Sequence, residues 1–202
     1  NHPLLYKSAF LDLSCFDAVS VTDEDTQRSK MYHQEARRKT SKTEFKSIDE
    51  WIKDLGICVS VDRLDENNSA RVAQIFNKTN QMNLATRRIS EAELKQWVIS
   101  GNHEIFAFRA RDKFGDYGLT GIVSLVISGE CCEVVDFILS CRVMGRCVEE
   151  TMLHTLTKYA KNKGACQIVA RYQPTEKNKP CLEFWKRSGF STGDKDFTFY
   201  WD

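Results

Sequence analysis

The 202-residue chain lacks the features that would set it apart from ordinary globular proteins. Neither sign of charge is in excess: 29 Lys and Arg stand against 28 Asp and Glu, for a formal net charge of +1. A general nucleic-acid or membrane-surface binder normally carries a basic excess or stripe, so neither partner is expected. No apolar run approaches the roughly 18 residues that a membrane-spanning helix needs. No charged-then-apolar leader opens the chain, and no segment repeats. The eight cysteines include no C-x-x-C pair, and none of the four histidines stands at zinc-finger spacing from a cysteine pair, so no metal site is expected. Cys58 lies within the apolar run Ile57 to Val61, and Cys166 precedes Gln167, Ile168 and Val169. Such placement reads as reduced core cysteines rather than a disulfide framework. The expectation is a soluble, cytoplasmic protein.

What is present is a composition of 42% hydrophobic and 28% charged residues, ordinary for a globular chain. The length is enough to bury a full core in one domain. We read a helical N-terminal extension over residues 1–56 and a single domain over 57–202. The chain starts at Asn1 without a Met, which suggests an excised piece of something longer with further activities upstream.

Thr22-Asp23-Glu24-Asp25 predicts the start of one long, largely exposed helix running to about Thr43, since a Thr followed by acids favours a helix N-terminus. Ile48, Trp51, Ile52 and Leu55 predict a second helix that Gly56 ends. A strand at Ile57–Val61 precedes a helix over about 66–78 and another from Ser90 to about Ser100. His103–Ala110, Tyr117–Ile127 and Glu133–Leu139 then read as an antiparallel meander. A helix over Gly145–Lys163, a strand over Gln167–Tyr172, a helix over Pro180–Ser188 and a strand over Phe197–Trp201 complete an α+β sheet.

The junction from Val135 to Cys147 carries the most chemistry. A strand runs through a glycine-containing turn into a helix, which leaves backbone N–H groups and the positive helix end to hold a phosphate. Arg142-Val143-Met144-Gly145-Arg146-Cys147 resembles the [Q/R]-x-x-G-x-[G/A] pyrophosphate loop of the GNAT acyltransferases, with Cys147 in place of the final small residue. Downstream, Asn178 and Phe184-Trp185-Lys186-Arg187-Ser188-Gly189-Phe190 resemble the late helix of that fold. Trp185 stands where many such enzymes carry a Tyr that protonates the leaving thiolate, and an indole N–H is no useful acid. Tyr172 is the nearest substitute.

Longer stretches extend the resemblance. Val72–Ile75 leading to Lys78–Arg88, then Arg111–Gly118, then Leu139–Arg146, are similar to the C-terminal region of FkbH-like proteins, the HAD-like proteins of methoxymalonyl-ACP biosynthesis in polyketide clusters. The similarity runs from about Phe16 to Phe190. It implies a GNAT-like mixed, mainly antiparallel sheet flanked by helices. It also implies transfer of a glyceryl-type acyl unit to the phosphopantetheine thiol of an acyl carrier protein, with an N-terminal HAD-like domain that this chain does not contain. Asp23-Glu24-Asp25-Thr26 looks like a HAD nucleophile loop, but Gln27 occupies the Thr position and helix capping explains the segment better. The cofactor expected is CoA or acyl-CoA, or the phosphopantetheine of a carrier.

On this reading Phe137 and Leu139 pair with pantetheine amides, and Arg142, Val143, Met144, Gly145, Arg146, Cys147 and Asn178 complete the cofactor site. The catalytic candidates are Cys141, Asp136 and Tyr172. Cys141 either carries an acyl thioester beside the arm or is a packing cysteine. Asp136, with Glu133 on the same strand, either points into the cleft as a base or out to water. Asn80, Asn83, Arg87 and Arg88 form a polar cluster suited to a carboxylate, a phosphate or a carrier's acidic surface, or else a solvated loop. Lys158, Lys161 and Lys163 read first as charges complementing a helix C-terminus, and second as a carrier-docking patch. Two further readings remain open: a non-catalytic carrier-docking module, and a free-standing amine acetyltransferase.

Overall fold

The computed structural model describes residues 27–99, 101–193 and 197–201. The helix start read at Thr22–Asp25 lies outside them. The helix itself, α1 (Arg28–Lys42), is followed by α2 (Ile48–Leu55), where Ser47 Oγ accepts from the Glu50 N–H and Gly56 closes the helix at φ +60°. Strand β1 (Cys58–Arg63), helix α3 (Ser69–Lys78), a two-residue strand β2 (Met82–Asn83) and helix α4 (Glu91–Ile99) come next. Ser90 and Glu93 cap α4 reciprocally, the Ser90 N–H bonding Glu93 Oε2 and the Glu93 N–H bonding Ser90 Oγ.

The meander is β3 (His103–Asp112), β4 (Gly115–Ser128) and β5 (Cys131–Leu139). Helix α5 (Val148–Asn162), strand β6 (Gln167–Arg171), helix α6 (Lys179–Arg187) and strands β7 (Ser191–Thr192) and β8 (Thr198–Trp201) finish the chain. The sheet order is β1-β3-β4-β5-β6-β8-β7, with β2 added to β5. Every pairing is antiparallel except β5 with β6, so the fold is the expected mixed α+β sheet flanked by helices. One buried cluster joins the sheet to α5 and α6 through Met152, Leu156 and Trp185. Another joins it to α3 and α4 through Val72, Phe76 and Leu94. Among the described residues no helix is long and apolar enough to cross a membrane.

Two details position the site. Ser124 faces Asp136 while Leu125 faces Val134, so Val135 is an extra residue on β5, a bulge that bends the strand. The β5–β6 pairing covers Cys131–Val134 and stops there, leaving a gap between the strands beyond the bulge. The second detail corrects the reading of α5, which begins at Val148 rather than Gly145. Gly145 (φ +69°) and Cys147 (φ +61°) are left-handed, and that backbone cannot belong to a right-handed helix.

Helix α1 is not merely exposed, because one buried ion pair fastens it to the β3–β4 hairpin. Arg38, 1% exposed, donates to both oxygens of Asp112 at 2.7 and 2.8 Å and stacks over the Tyr117 ring at 3.8 Å. Burial alone would raise the Asp112 carboxyl, but bonds from Arg38 and from the Tyr117 hydroxyl outweigh it and hold the group below its ordinary range. Removing one member of a buried pair leaves an uncompensated charge. Arg38→Met is therefore expected to cost about 3–5 kcal/mol in denaturant unfolding; a loss under about 1 kcal/mol, the value of a surface pair, would refute this anchoring.

Candidate functional site

The strand-to-helix loop has the backbone geometry for an anion, yet the Gly145 amide and the Arg146 side chain are taken by the chain itself. The Gly145 N–H donates to Glu149 Oε1 at 2.6 Å, so a carboxylate from the first turn of α5 sits where a ligand phosphate would be held. Arg146, 9% exposed, turns inward, donating to the Tyr117 hydroxyl and to Glu35 of α1 at 2.9 Å. Val143 is fully buried, its N–H bonding Ser140 O, and Met144 packs against the core. Cys147 is exposed at the start of α5, and His154 is exposed on the same helix. Of the loop's expected ligands, Arg142 alone lines an open cavity, its Nε donating to Ser140 Oγ at 3.2 Å.

The expected pantetheine edge is also filled. Met82 and Asn83 pair antiparallel with Leu139 and Ile138, and the Leu84 N–H donates to Phe137 O at 3.1 Å. On its other side the Gln173 N–H, just past β6, donates to Leu84 O at 2.8 Å. Residues 82–84 thus bridge the gap that opens beyond the Val135 bulge. Phe137, Leu139, Asn83 and Leu84 are all 0% exposed. This corrects the expectation that Phe137 and Leu139 face an arm: an arm following that edge would have to displace the chain's own backbone.

Several polar candidates turn out to hold this insertion in place. Asn83 Nδ2 donates to Thr79 O at 3.0 Å, and its Oδ1 accepts from the Thr86 N–H at 2.8 Å. Asn178, read as a cofactor ligand, is fully buried and donates to Asn83 O (2.9 Å) and Gln173 O (2.8 Å). Its Oδ1 accepts from the Tyr172 hydroxyl at 2.6 Å. Burial pushes the Tyr172 phenol above its ordinary range, so Tyr172 is a bonded core residue rather than an acid at an open site. Asp136 is neither a base in a cleft nor solvated. It is 0% exposed, accepts from both Arg87 and Ser124, and closes the segment after β2 onto β5. Arg88 donates to Phe76 O and Asn80. Glu133 pairs with Arg171 at the surface.

Arg88 and Cys147 are exposed, and Cys141 and Asn80 also reach an accessible surface. The last two line a cavity of about 1050 Å³ bounded by α1, α3, the segment before β2 and the end of β5. The α1 wall and the cations Arg38, Arg71 and Lys177 carry no motif in the sequence. Their only sequence signal was a scatter of single cations on separate elements.

No protein-family model matches the chain, and neither does any curated protein sequence. The solved structures do match. The PaiA N-acetyltransferase of Thermoplasma acidophilum, determined with coenzyme A, superposes with a TM-score of 0.56 at 16% identity, covering 71% of this chain and 96% of that one. The spermidine N-acetyltransferase of Vibrio cholerae, determined with CoA and spermine, gives 0.56 at 15% identity over 71% and 94% of the two chains. The ribosomal-protein-S18-alanine N-acetyltransferase of Escherichia coli gives 0.52 at 7% identity over 71% and 91%. The fold is that of the GNAT acyltransferases.

Burial raises the Glu149 carboxyl despite the opposing bond from the Gly145 N–H. An acid whose folded pKa is raised stabilises the fold fully only below its unfolded pKa, and that contribution is lost as pH rises through the folded value. Glu149→Gln keeps an acceptor for Gly145 without the buried charge. Its Tm is expected to exceed the parent's at neutral pH, by about 2–4 °C for each kcal/mol gained, with the gain fading as pH falls through the raised pKa toward the ordinary Glu range. A variant destabilised at every pH would contradict the reading.

Proposed function

We propose that the chain is the acyltransferase-fold domain of a larger enzyme that moves a glyceryl-type acyl unit onto an acyl carrier protein in methoxymalonyl-ACP type biosynthesis. Within that enzyme the domain engages the carrier rather than conducting the thioester chemistry, which belongs to a HAD-like half. The single observation behind this division is the insertion of Met82–Leu84 along β5, which takes up the strand edge that an amine-acetylating member of this fold leaves to its cofactor. Trp185 supports it: the residue is fully buried among Phe137, Phe184, Phe190 and Phe199, where neither its chemistry nor its position serves proton transfer.

The second reading is acetyl-CoA-dependent amine acetylation. The Val135 bulge and the diverging ends of β5 and β6 favour it, as does likeness of fold to enzymes solved with CoA. It requires residues 82–84 to leave the gap.

The two readings separate by experiment. Calorimetric titration with a holo acyl carrier protein is expected to show binding in the micromolar range, about −8 kcal/mol, that weakens with salt as charge-steered contacts do. Acetyl-CoA with a panel of amines is expected to give no turnover, and Cys141→Ala in the full-length enzyme is expected to leave transfer intact. Acetylation of any amine, or no carrier binding at low salt, would overturn the carrier reading.

A further inference from the structure

Strand β1 forms one end of the sheet, and its outer edge is uncovered. The opposite end, β7, is two residues long and leaves little to pair with. By contrast β1 runs six residues in unbroken register with β3, and it contains no Pro, Lys or bulge, the usual devices that keep an edge from pairing. In that register the Leu64 N–H donates to Ile105 O at 3.0 Å, so the even-numbered residues of β1 bond β3 and the odd-numbered ones point outward. Of the outward groups, Arg63 O accepts from Asn68 Nδ2 at 2.8 Å. The N–H and C=O groups of Val59 and Val61 have no partner among the described residues. Val61 is 37% exposed. Asp62 and, one strand in, Arg111 are exposed and make no ion pair among the described residues.

We propose that β1 is a self-pairing edge: two copies of this chain join antiparallel through β1 about a two-fold axis at Ser60, making one continuous sheet. That axis sets Val59 against Val61 of the second copy in both directions, and the four resulting N–H···O=C bonds use the free groups and no others. An axis at Val61 would draw on Arg63 O, already bonded to Asn68. One at Asp62 would set two carboxylates face to face, and one at Val59 would reach past the strand to Ile57. The side chains agree with the Ser60 axis. Directly opposite residues share a face, so Val59 and Val61 cover each other on the face that carries Phe106 and Phe108. On the other face Cys58, which stands opposite Arg111, meets Asp62 of the second copy. Arg111 and that carboxylate lie two strand spacings apart, about 10 Å, which their two side chains bridge, and the symmetry supplies this pair twice. The interface is small, so the dimer is weak and reversible. It leaves the gap between β5 and β6 of each copy untouched.

Sedimentation velocity of the 202-residue chain, over about 1–1,000 µM, is expected to show a monomer–dimer equilibrium. Val61→Pro removes one outward N–H and leaves the bonds between β1 and β3 alone, and Val61→Lys sets a charge on the edge. Both variants are expected to stay monomeric over that range, with thermal melting close to the parent's. Asp62→Lys is expected to weaken the dimer about fivefold or more, and combining it with Arg111→Asp is expected to restore it. Ser60→Cys places two thiols opposite each other at the axis, near the spacing a disulfide takes. Mild oxidation is then expected to join position 60 of one copy to position 60 of the other, as located by peptide mass spectrometry. A chain monomeric at every concentration, a dimer that persists in both Val61 variants, a charge swap that restores nothing, or a disulfide formed only through other positions would overturn the proposal.

Discussion

Three residues of backbone, Met82 to Leu84, close the gap between β5 and β6. A sheet that splits beyond a bulge leaves two edges with unpaired N–H and C=O groups, and burying such groups without partners costs as much as losing hydrogen bonds outright. In this chain the need is met from within. The Leu84 N–H bonds β5 and the Leu84 carbonyl accepts from Gln173 beside β6, so one peptide segment satisfies both sides of the gap. The surrounding polar network follows from that placement. Asn178 bonds the inserted Asn83 carbonyl, Asn83 ties its own flanks together, and Arg87 carries the segment onto Asp136.

The same logic repeats at the loop. A left-handed Gly145 donates its N–H to the chain's own Glu149 carboxyl. The first turn of a helix favours a carboxylate for the reason it favours a phosphate, the partial positive charge of unpaired N–H groups. Arg146 is drawn inward by Tyr117 and by Glu35 of α1. Helix α1 thereby does two things: it covers the loop's arginine, and through Arg38 and Asp112 it forms one wall of the remaining cavity. The edge of β5, the Gly145 amide and the Arg146 guanidinium all find their partners inside the chain.

Much of the architecture was legible in the residues. The capping pair Ser90 and Glu93, the apolar face of the helix through Met152 and Leu156, and the three-strand meander all appear where periodicity and capping place them, because these are local rules. The start of α5 was misread by three residues, since a left-handed cysteine at 147 carries no sequence signature. Strand β2 was illegible for a deeper reason. Two residues have no periodicity, and what makes Met82 and Asn83 a strand is the gap left by a bulge more than 50 residues later in the chain. The partners of several candidate residues were illegible for the same reason. Asp136, Asn83, Arg87, Asn178 and Tyr172 have the chemistry of a site, and long-range pairing ties them to one another and to the inserted segment. Cys141 and Arg142 are on the cavity wall because they lie past the last paired residue of β5.

Met82–Leu84 fill the gap between β5 and β6, and amide hydrogen exchange of Leu84 and Gln173 measures how firmly they stay there. Both protons are hydrogen-bonded inside the fold, so they are expected to exchange as slowly as those of the β4–β5 ladder and to stay slow when CoA is added. Rapid exchange at Leu84 and Gln173, or loss of their protection on adding CoA, would mean that the segment yields to a ligand and that the gap is a working cofactor groove.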